Sequence, residues 1–286
     1  MHRGGRVGRA TCRSELDSLV RKLSHGGLHP LAQRFASVAD AYERGRPDYP
    51  PAVVGALAAE LDLAPHAPVL DLAAGTGKLS RALLSAGFDV VAVEPLRSLR
   101  ELLAGCIGAE RVREGAAEEI PLADASVEAV TVADAFHWFD HAAALTQIRR
   151  VLRPDGGLAV LSSVPDWAAA TWSHDLGTLM QSLRPEHPHF DGPPWQDAVR
   201  AVGGWTVPRE IRVTTSQPTE PKRIVDYVAS MSWIAAMPEG ERIQVLDRIR
   251  ALIEAGDTPT EMPIHVVIGL TTLCSDPGDP SRLMAR

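Results

Sequence analysis

Between Pro68 and Ser163, short apolar bursts alternate with helix-patterned stretches, and that alternation restricts the chain to few folds. The bursts are PVLDLA (68–73), DVVAVEP (89–95), RVREGAA (111–117), VEAVTVADA (127–135) and GGLAVLSS (156–163). Between them lie GKLSRALLSAG (77–87), SLRELLAGCI (98–107) and HAAALTQIRRVL (141–152). Strands joined by helical crossovers run parallel, and right-handed crossovers cover the sheet with helices. The expected fold class is α/β, with a mostly parallel Rossmann-like sheet.

The flanks are read by the same signals. Residues 1–30 are rich in Arg and Gly and read as a loose arm; Glu15 and Asp17 disfavour a transit peptide. LAQRFASVADAYERGRPDYPP (31–51) gives a helix stopped by a turn cluster, and AVVGALAAELDL (52–63) gives a second. After Val164, residues 165–183 read as helix, RPEHPHFDGPP (184–194) as a Pro- and His-rich loop, and 195–204 as a short helix. REIRVTTS (209–216) has a strand's alternation, 221–237 and 239–256 read as helices, and MPIHVVIGLTTL (262–273) as the closing strand. The expected division is a flexible arm to residue 30, a cofactor-binding core over 31–164, lid helices with the last two strands over 165–273, and a tail from 274.

Composition excludes several classes of function. A formal net charge of −7 lacks the basic surplus of a protein that grips a phosphate backbone, so no nucleic acid partner is expected. No apolar run approaches the roughly 18 residues of a membrane span, and no secretory h-region is visible, so the expected location is cytoplasmic. Cys12, Cys106 and Cys274 fall into no metal-ligand spacing and read as three unpaired thiols, with no metal site. The scattered histidines, including those of HPHF (187–190), read as solvated loop residues.

The glycine turn in DLAAGTGK (71–78) allows three readings. A phosphate-binding P-loop fails, because Leu72 stands where its first glycine belongs and Leu79 follows Lys78. A dinucleotide fingerprint is weakened by Ser80 at the place of its third small residue. In the third reading Asp71 ends a strand and AAGTG turns the backbone beneath a larger ligand.

That third arrangement resembles motif I of the class I S-adenosylmethionine-dependent methyltransferases. Three further stretches resemble that family in the right order: Glu94 in VVAVEP, REGAAEEIPLADASVEAVTVADAFHWFD (113–140) and QIRRVLRPDGGLAVLSS (147–163). Upstream, YERGRPDYP (42–50) resembles a signature of small-molecule enzymes related to trans-aconitate methyltransferases. The resemblance implies a mostly parallel sheet whose last strand is antiparallel, an N-terminal helical cap, a lid insertion, and S-adenosylmethionine as cofactor. It implies that Gly75 and Gly77 pass under the cofactor, with Ala73 where the family usually has glycine. Asp71 would steady the methionine end, directly or through water, and Tyr42 and Arg46 would approach it, the arginine pairing with the carboxylate. Glu94, with Pro95, would accept from both ribose hydroxyls. Ala116, Ala117 and Glu118 would border the adenine; many relatives carry an aspartate at the position of Ala116, so weaker adenine selectivity is expected.

Methyl transfer by in-line displacement asks a protein for position and charge control, so no obligatory catalytic constellation is expected. His137, just past the fourth strand, is the candidate base, against a reading as a packing or hydrogen-bonding wall. Of the six tryptophans, Trp138 and Trp233 are candidate substrate contacts, with Ser230 and Tyr227 beside the latter. Arg209, Arg212 and Arg223 read as a solvated face or, for an acidic substrate, as its receivers. The expected partner is a small-molecule methyl acceptor of unspecified identity. A nicotinamide-dependent oxidoreductase and a non-catalytic S-adenosylmethionine-binding protein remain alternatives.

Overall fold

The computed structural model describes residues 28–169, 171–256 and 260–274. One sheet contains β1 (Pro68–Leu72), β2 (Asp89–Val93), β3 (Val112–Arg113), β4 (Val127–Ala133), β5 (Leu152–Pro165), β6 (Arg209–Pro218) and β7 (Glu261–Thr272). Their spatial order is β3-β2-β1-β4-β5-β7-β6. β1 pairs in parallel with β2 and β4, β3 with β2, and β5 with β4. β7 alone is reversed, antiparallel to both β5 and β6. The chain leaves β1 towards β2 on one side and returns to β4 on the other, so a crevice opens at the strands' carboxyl ends, where open α/β sheets bind ligands.

Central strands buried on both faces account for the unbroken apolar bursts. On one face, Val69, Val90 and Ala129 pack under Val53 and Leu57 of α3 (Pro51–Glu60) and Leu79 and Leu83 of α4 (Lys78–Ser85). Here α1 is Pro30–Gln33 and α2 is Ala39–Gly45. On the other face, Leu70, Leu72, Val130 and Leu158 meet Leu145 and Ile148 of α6 (His141–Val151); α5 spans Arg97–Ile107. Each fully buried Leu or Ile contributes about 1.5–3 kcal/mol.

A third core belongs to the lid. It joins α7 (Thr171–Leu183), α10 (Pro221–Ala229), α11 (Ser232–Ala235) and α12 (Glu239–Ala255) through Leu176, Ile224, Val228, Ile234 and Ile249. Two short helices, α8 (Pro188–Asp191) and α9 (Trp195–Val202), complete this part of the chain.

The cap and lid are clasped together. Arg44 pairs with Asp226 at 2.8 Å, while Lys78 and Arg81 of α4 hold Asp48 and Glu43, each at 2.8 Å. Gly45 makes the contact possible, because a Cβ there would lie 2.2 Å from the backbone nitrogen of Tyr227.

Several expectations are corrected. The strand over 111–117 shrinks to Val112–Arg113, with only an isolated bridge from Ala116 to Glu119 beyond it. β5 begins at Leu152, crosses a register shift opposite Val127–Ala129, and runs to Pro165, so the helix expected from 165 begins at Thr171. The segment 184–194 contains α8, capped by the His187 ring, which accepts from the His189 N–H. The helix expected over 221–237 breaks at Met231, which is extended (φ −69°, ψ 131°). The arm expected through residue 30 is structured at its end: His29 caps α1 and its ring lies 4.9 Å from that of Trp138. Residues 1–27 and 275–286, and Cys12, lie outside the described residues. Cys106 and Cys274 are free thiols. Among the described residues no helix is long and apolar enough to cross a membrane.

Candidate active site

The turn after β1 takes left-handed backbone at Ala73 (φ 56°), Gly75 (φ 60°) and Gly77 (φ 90°). Ala73 retains a conformation that favours glycine, at a cost of about 1–2 kcal/mol. Gly75 lines a cavity of about 900 Å³, and the space where its Cβ would sit is open. Gly77 does not line the cavity; a Cβ there would lie 2.6 Å from Leu103 Cδ1, so this glycine seats α4 against α5.

Glu94 follows β2 and stands at the cavity wall, 3% exposed. Its Oε2 accepts from the Gly75 N–H at 2.9 Å and its Oε1 from the Leu96 N–H at 2.8 Å. Burial pushes its pKa up to about 7, against the pull of those two amides and of Arg100. Each oxygen keeps a lone pair for a further donor.

Asp71 lies in the sheet, away from the cavity. Ser80 donates to its Oδ2 at 2.5 Å and Thr131 to its Oδ1 at 3.2 Å, and Asp71 is not among the residues that line the cavity. Its task is the junction between β1 and α4. Burial pushes its pKa to about 6, partly offset by the Ser80 and Thr131 hydrogen bonds.

Arg46, where the cap turns towards β1, lies between two phenol rings, 5.3 Å from the centre of Tyr42 and 4.9 Å from that of Tyr227. Its Nε donates to Ser230 Oγ at 2.9 Å. Burial opposes its charge, but Tyr227, Tyr42 and Asp134 outweigh burial and hold the guanidinium protonated. Ser230 is fully buried and turned to Arg46, so the expectation that it meets substrate is corrected: it positions the arginine.

Pro95, Ala116, Ala117 and Glu118 line the end of the cavity beside Glu94. Glu118 Oε1 accepts from the Asp140 N–H at 2.8 Å, which ties this loop to the start of α6. His137, Trp138, Tyr227 and Trp233 also stand on the cavity wall. Burial first, then His189, His187, Arg46 and His29, holds the His137 ring far below its ordinary pKa. The ring is therefore uncharged at neutral pH, the form that accepts a proton or a hydrogen bond.

Four contributors escape a reading of the sequence. His187, His189 and Arg184 line the cavity although their Pro-rich surroundings have a solvated loop's composition. Asp134 sits in left-handed backbone (φ 51°), accepting from Tyr49 Oη at 3.3 Å and the Ser163 N–H at 3.0 Å. Its position at the end of VTVAD, on the same sheet edge as Glu94, was the available signal. Arg209, Arg212 and Arg223 lie away from the cavity, with Arg209 held by Glu60 and Arg223 by the Pro218 carbonyl. Among the described residues no cluster of three or more His, Cys, Asp or Glu side chains is arranged to hold a metal ion.

Comparison with known proteins places this geometry in context. A family model described as a methyltransferase domain matches residues 70–160. An uncharacterized methyltransferase of Mycobacterium tuberculosis is 38% identical over 223 residues, 78% of this chain and 86% of that protein. An uncharacterized methyltransferase-like protein of Schizosaccharomyces pombe is 30% identical over 220 residues, 76% of this chain and 85% of its own length. Among solved structures, an Anaeromyxobacter dehalogenans protein assigned as a type II methyltransferase matches the fold with a TM-score of 0.57 at 23% identity, over 79% of this chain and 97% of that one.

Proposed function

As the chain belongs to the class I S-adenosylmethionine-dependent methyltransferase family, we propose that it transfers the methyl group of S-adenosylmethionine to a small-molecule acceptor by in-line displacement. One observation carries the reading: a buried carboxylate, Glu94, that binds the turn amide of Gly75 and still faces the cavity. Its remaining lone pairs would accept from both ribose hydroxyls, a task for which a carboxylate has enough acceptor sites.

The residues present fit that cofactor. Gly75 leaves open the place where a side chain would intrude. Arg46 is a buried guanidinium with no carboxylate within ion-pair distance among the described residues, which suits it to receive the cofactor's carboxylate. Ala116 and Ala117 offer backbone groups to the adenine, with Glu118 bracing the loop. When bound, the cofactor supplies an activated sulfonium methyl.

The chain's own contribution is placement. The cap, clasped to the lid by Arg44–Asp226 and to α4 by Lys78–Asp48, would help the lid to shield the cavity from water. His137, Trp138 and Trp233 form the wall against which the acceptor would lie, and the uncharged His137 would accept a hydrogen bond from a hydroxyl or amine and take its proton as the bond to the methyl group forms and the methyl–sulfur bond breaks.

Calorimetric titration of the purified chain with S-adenosylhomocysteine, with NAD in parallel, tests the cofactor. Binding of the former that is lost in Glu94→Ala is the expected result; preferential binding of NAD would replace this reading with an oxidoreductase. Accumulation of S-adenosylhomocysteine in the presence of a panel of phenols, acids and amines separates an enzyme from a protein that only binds the cofactor.

A further inference from the structure

Resting on the methyl-transfer reading, we infer that the part of the cavity beside Ser232 receives a flat aromatic molecule bearing an uncharged oxygen substituent, a phenol-class acceptor, through a hydrogen-bond relay that ends on Ser232. The relay begins in the backbone. The His189 N–H donates to His187 Nδ1 at 3.1 Å, and a ring nitrogen that accepts carries no hydrogen. In the uncharged ring the hydrogen is therefore on Nε2, which lies 2.9 Å from Ser232 Oγ and donates to it. Ser232 is 4% exposed, lines the cavity, and its own hydroxyl hydrogen has no acceptor among the described residues. A buried donor without an acceptor is destabilising, and a ligand oxygen in the cavity would satisfy it.

The break at Met231 creates this donor. Had the helix continued from α10, Ser232 would follow its phase; instead α11 restarts and carries Ser232 and Trp233 to the cavity wall. Ser230, two residues earlier, is committed to Arg46.

The surroundings select a flat, uncharged ligand. Trp138, Trp233, Phe190 and Met180 supply aromatic and soft apolar walls, and rings prefer edge or offset contacts with other rings. Of the two cavity-lining arginines, Arg46 lies between Tyr42 and Tyr227 at the end assigned to the cofactor. Arg184 already binds Asp191 at 2.9 Å and lies over Phe190. Burial keeps the His187 ring, with a pKa of about 4, uncharged at neutral pH, and the His137 and His189 pKa values are lowered for the same reason. An acceptor carboxylate would thus be buried among neutral rings with both arginines already committed, and an ammonium would find Asp134 already accepting from Tyr49 and the Ser163 N–H.

Four probes differing at one ring carbon test the assignment: naphthol, naphthoate, naphthylmethylammonium and naphthalene. Their binding to the full chain is followed at neutral pH by quenching of tryptophan fluorescence, with S-adenosylhomocysteine present and again without it. Naphthol is expected to bind at least about tenfold more tightly than either charged probe. Ser232→Ala is expected to weaken naphthol about fivefold and leave naphthalene unchanged, with Ser232→Thr restoring the difference. Naphthoate binding as well as naphthol, or Ser232→Ala weakening naphthol and naphthalene alike, would overturn the assignment. A failure of S-adenosylhomocysteine itself to bind strikes the methyl-transfer reading instead, and the probe order without it still judges the relay.

Discussion

Ser80 donates its hydroxyl hydrogen to Asp71 Oδ2 across 2.5 Å, where neither side chain meets solvent. A dinucleotide fingerprint keeps this position small so that helix and strand can pack; here a serine uses it to hold a strand carboxyl in place. Thr131 secures the other oxygen from the neighbouring strand.

The first prediction concerns that carboxyl. Burial raises its folded pKa to about 6, above the unfolded value of about 3.9, so the folded protein binds the proton more tightly. Its contribution is fullest below about pH 4 and is lost as pH rises through about 6, on the order of 2–3 kcal/mol. Asp71→Asn, whose amide can pair with both hydroxyls, is expected to remove that slope and to unfold at higher urea than the parent at about pH 8. Urea midpoints across this range decide it; an Asn variant weaker at every pH would contradict the account.

Glu94 leads to a pH dependence of binding rather than of stability. Its pKa in the cofactor-free protein is about 7, raised by burial, and hydroxyl donors favour the ionised form. Affinity for S-adenosylhomocysteine is expected to climb between about pH 6 and 8, by no more than about tenfold per unit, and then level off. In Glu94→Gln the affinity is expected to be lower and the climb absent. Calorimetry in buffers spanning this range measures both, and a flat profile in the parent would argue against the grip.

Arg46 can be tested by subtraction from the ligand. Arg46→Met is expected to weaken S-adenosylhomocysteine by about tenfold or more, the worth of a charge-assisted hydrogen bond. Methylthioadenosine, which lacks the amino-acid end, is expected to bind both proteins alike. Equal losses for the two ligands would show that Arg46 acts on the fold of the cap and not on the carboxylate.

His137 is expected to leave no mark on the rate profile near about pH 6.5, the ordinary histidine range, because burial and its neighbours keep the ring uncharged. Once an acceptor is in hand, kcat against pH for the parent and His137→Gln tests this. A limb in that range that disappears in the glutamine variant would show that the ring titrates there and contradict this account.

Gly45 and Gly55 form a matched pair. Gly45→Ala drives a Cβ into the backbone of Tyr227 and is expected to cost about 1–3 kcal/mol and to weaken S-adenosylhomocysteine by parting cap from lid. Gly55, inside α3 with open space around it, is expected to gain about 0.5–1 kcal/mol as Gly55→Ala. Thermal melts of the two variants should move in opposite directions.

Much of the frame was legible in the residues. β6, β7 and helices α4 to α6 follow hydrophobic period, and β1, β2 and β4 are short apolar runs between turn signals; both are local properties that survive without knowledge of the rest of the chain. β3 was overextended because Glu114–Ala117 reads as a continuing strand, whereas Gly115 packs against Pro121 and the chain turns there. The broken helix at Ser230–Met231 left no periodic trace, since apolar residues continue on either side of the break.

Short-range pattern carries the α/β frame and the order of its ligand-edge landmarks, a glycine turn after one strand and an acid after the next. What surrounds the rest of the cavity follows from long-range packing. Arg46 meets Ser230 across 184 positions, and His187 meets Ser232 across 45. Such meetings depend on where the cap and lid helices pack, so the same residues read as loop, cap or lid until the packing brings them together.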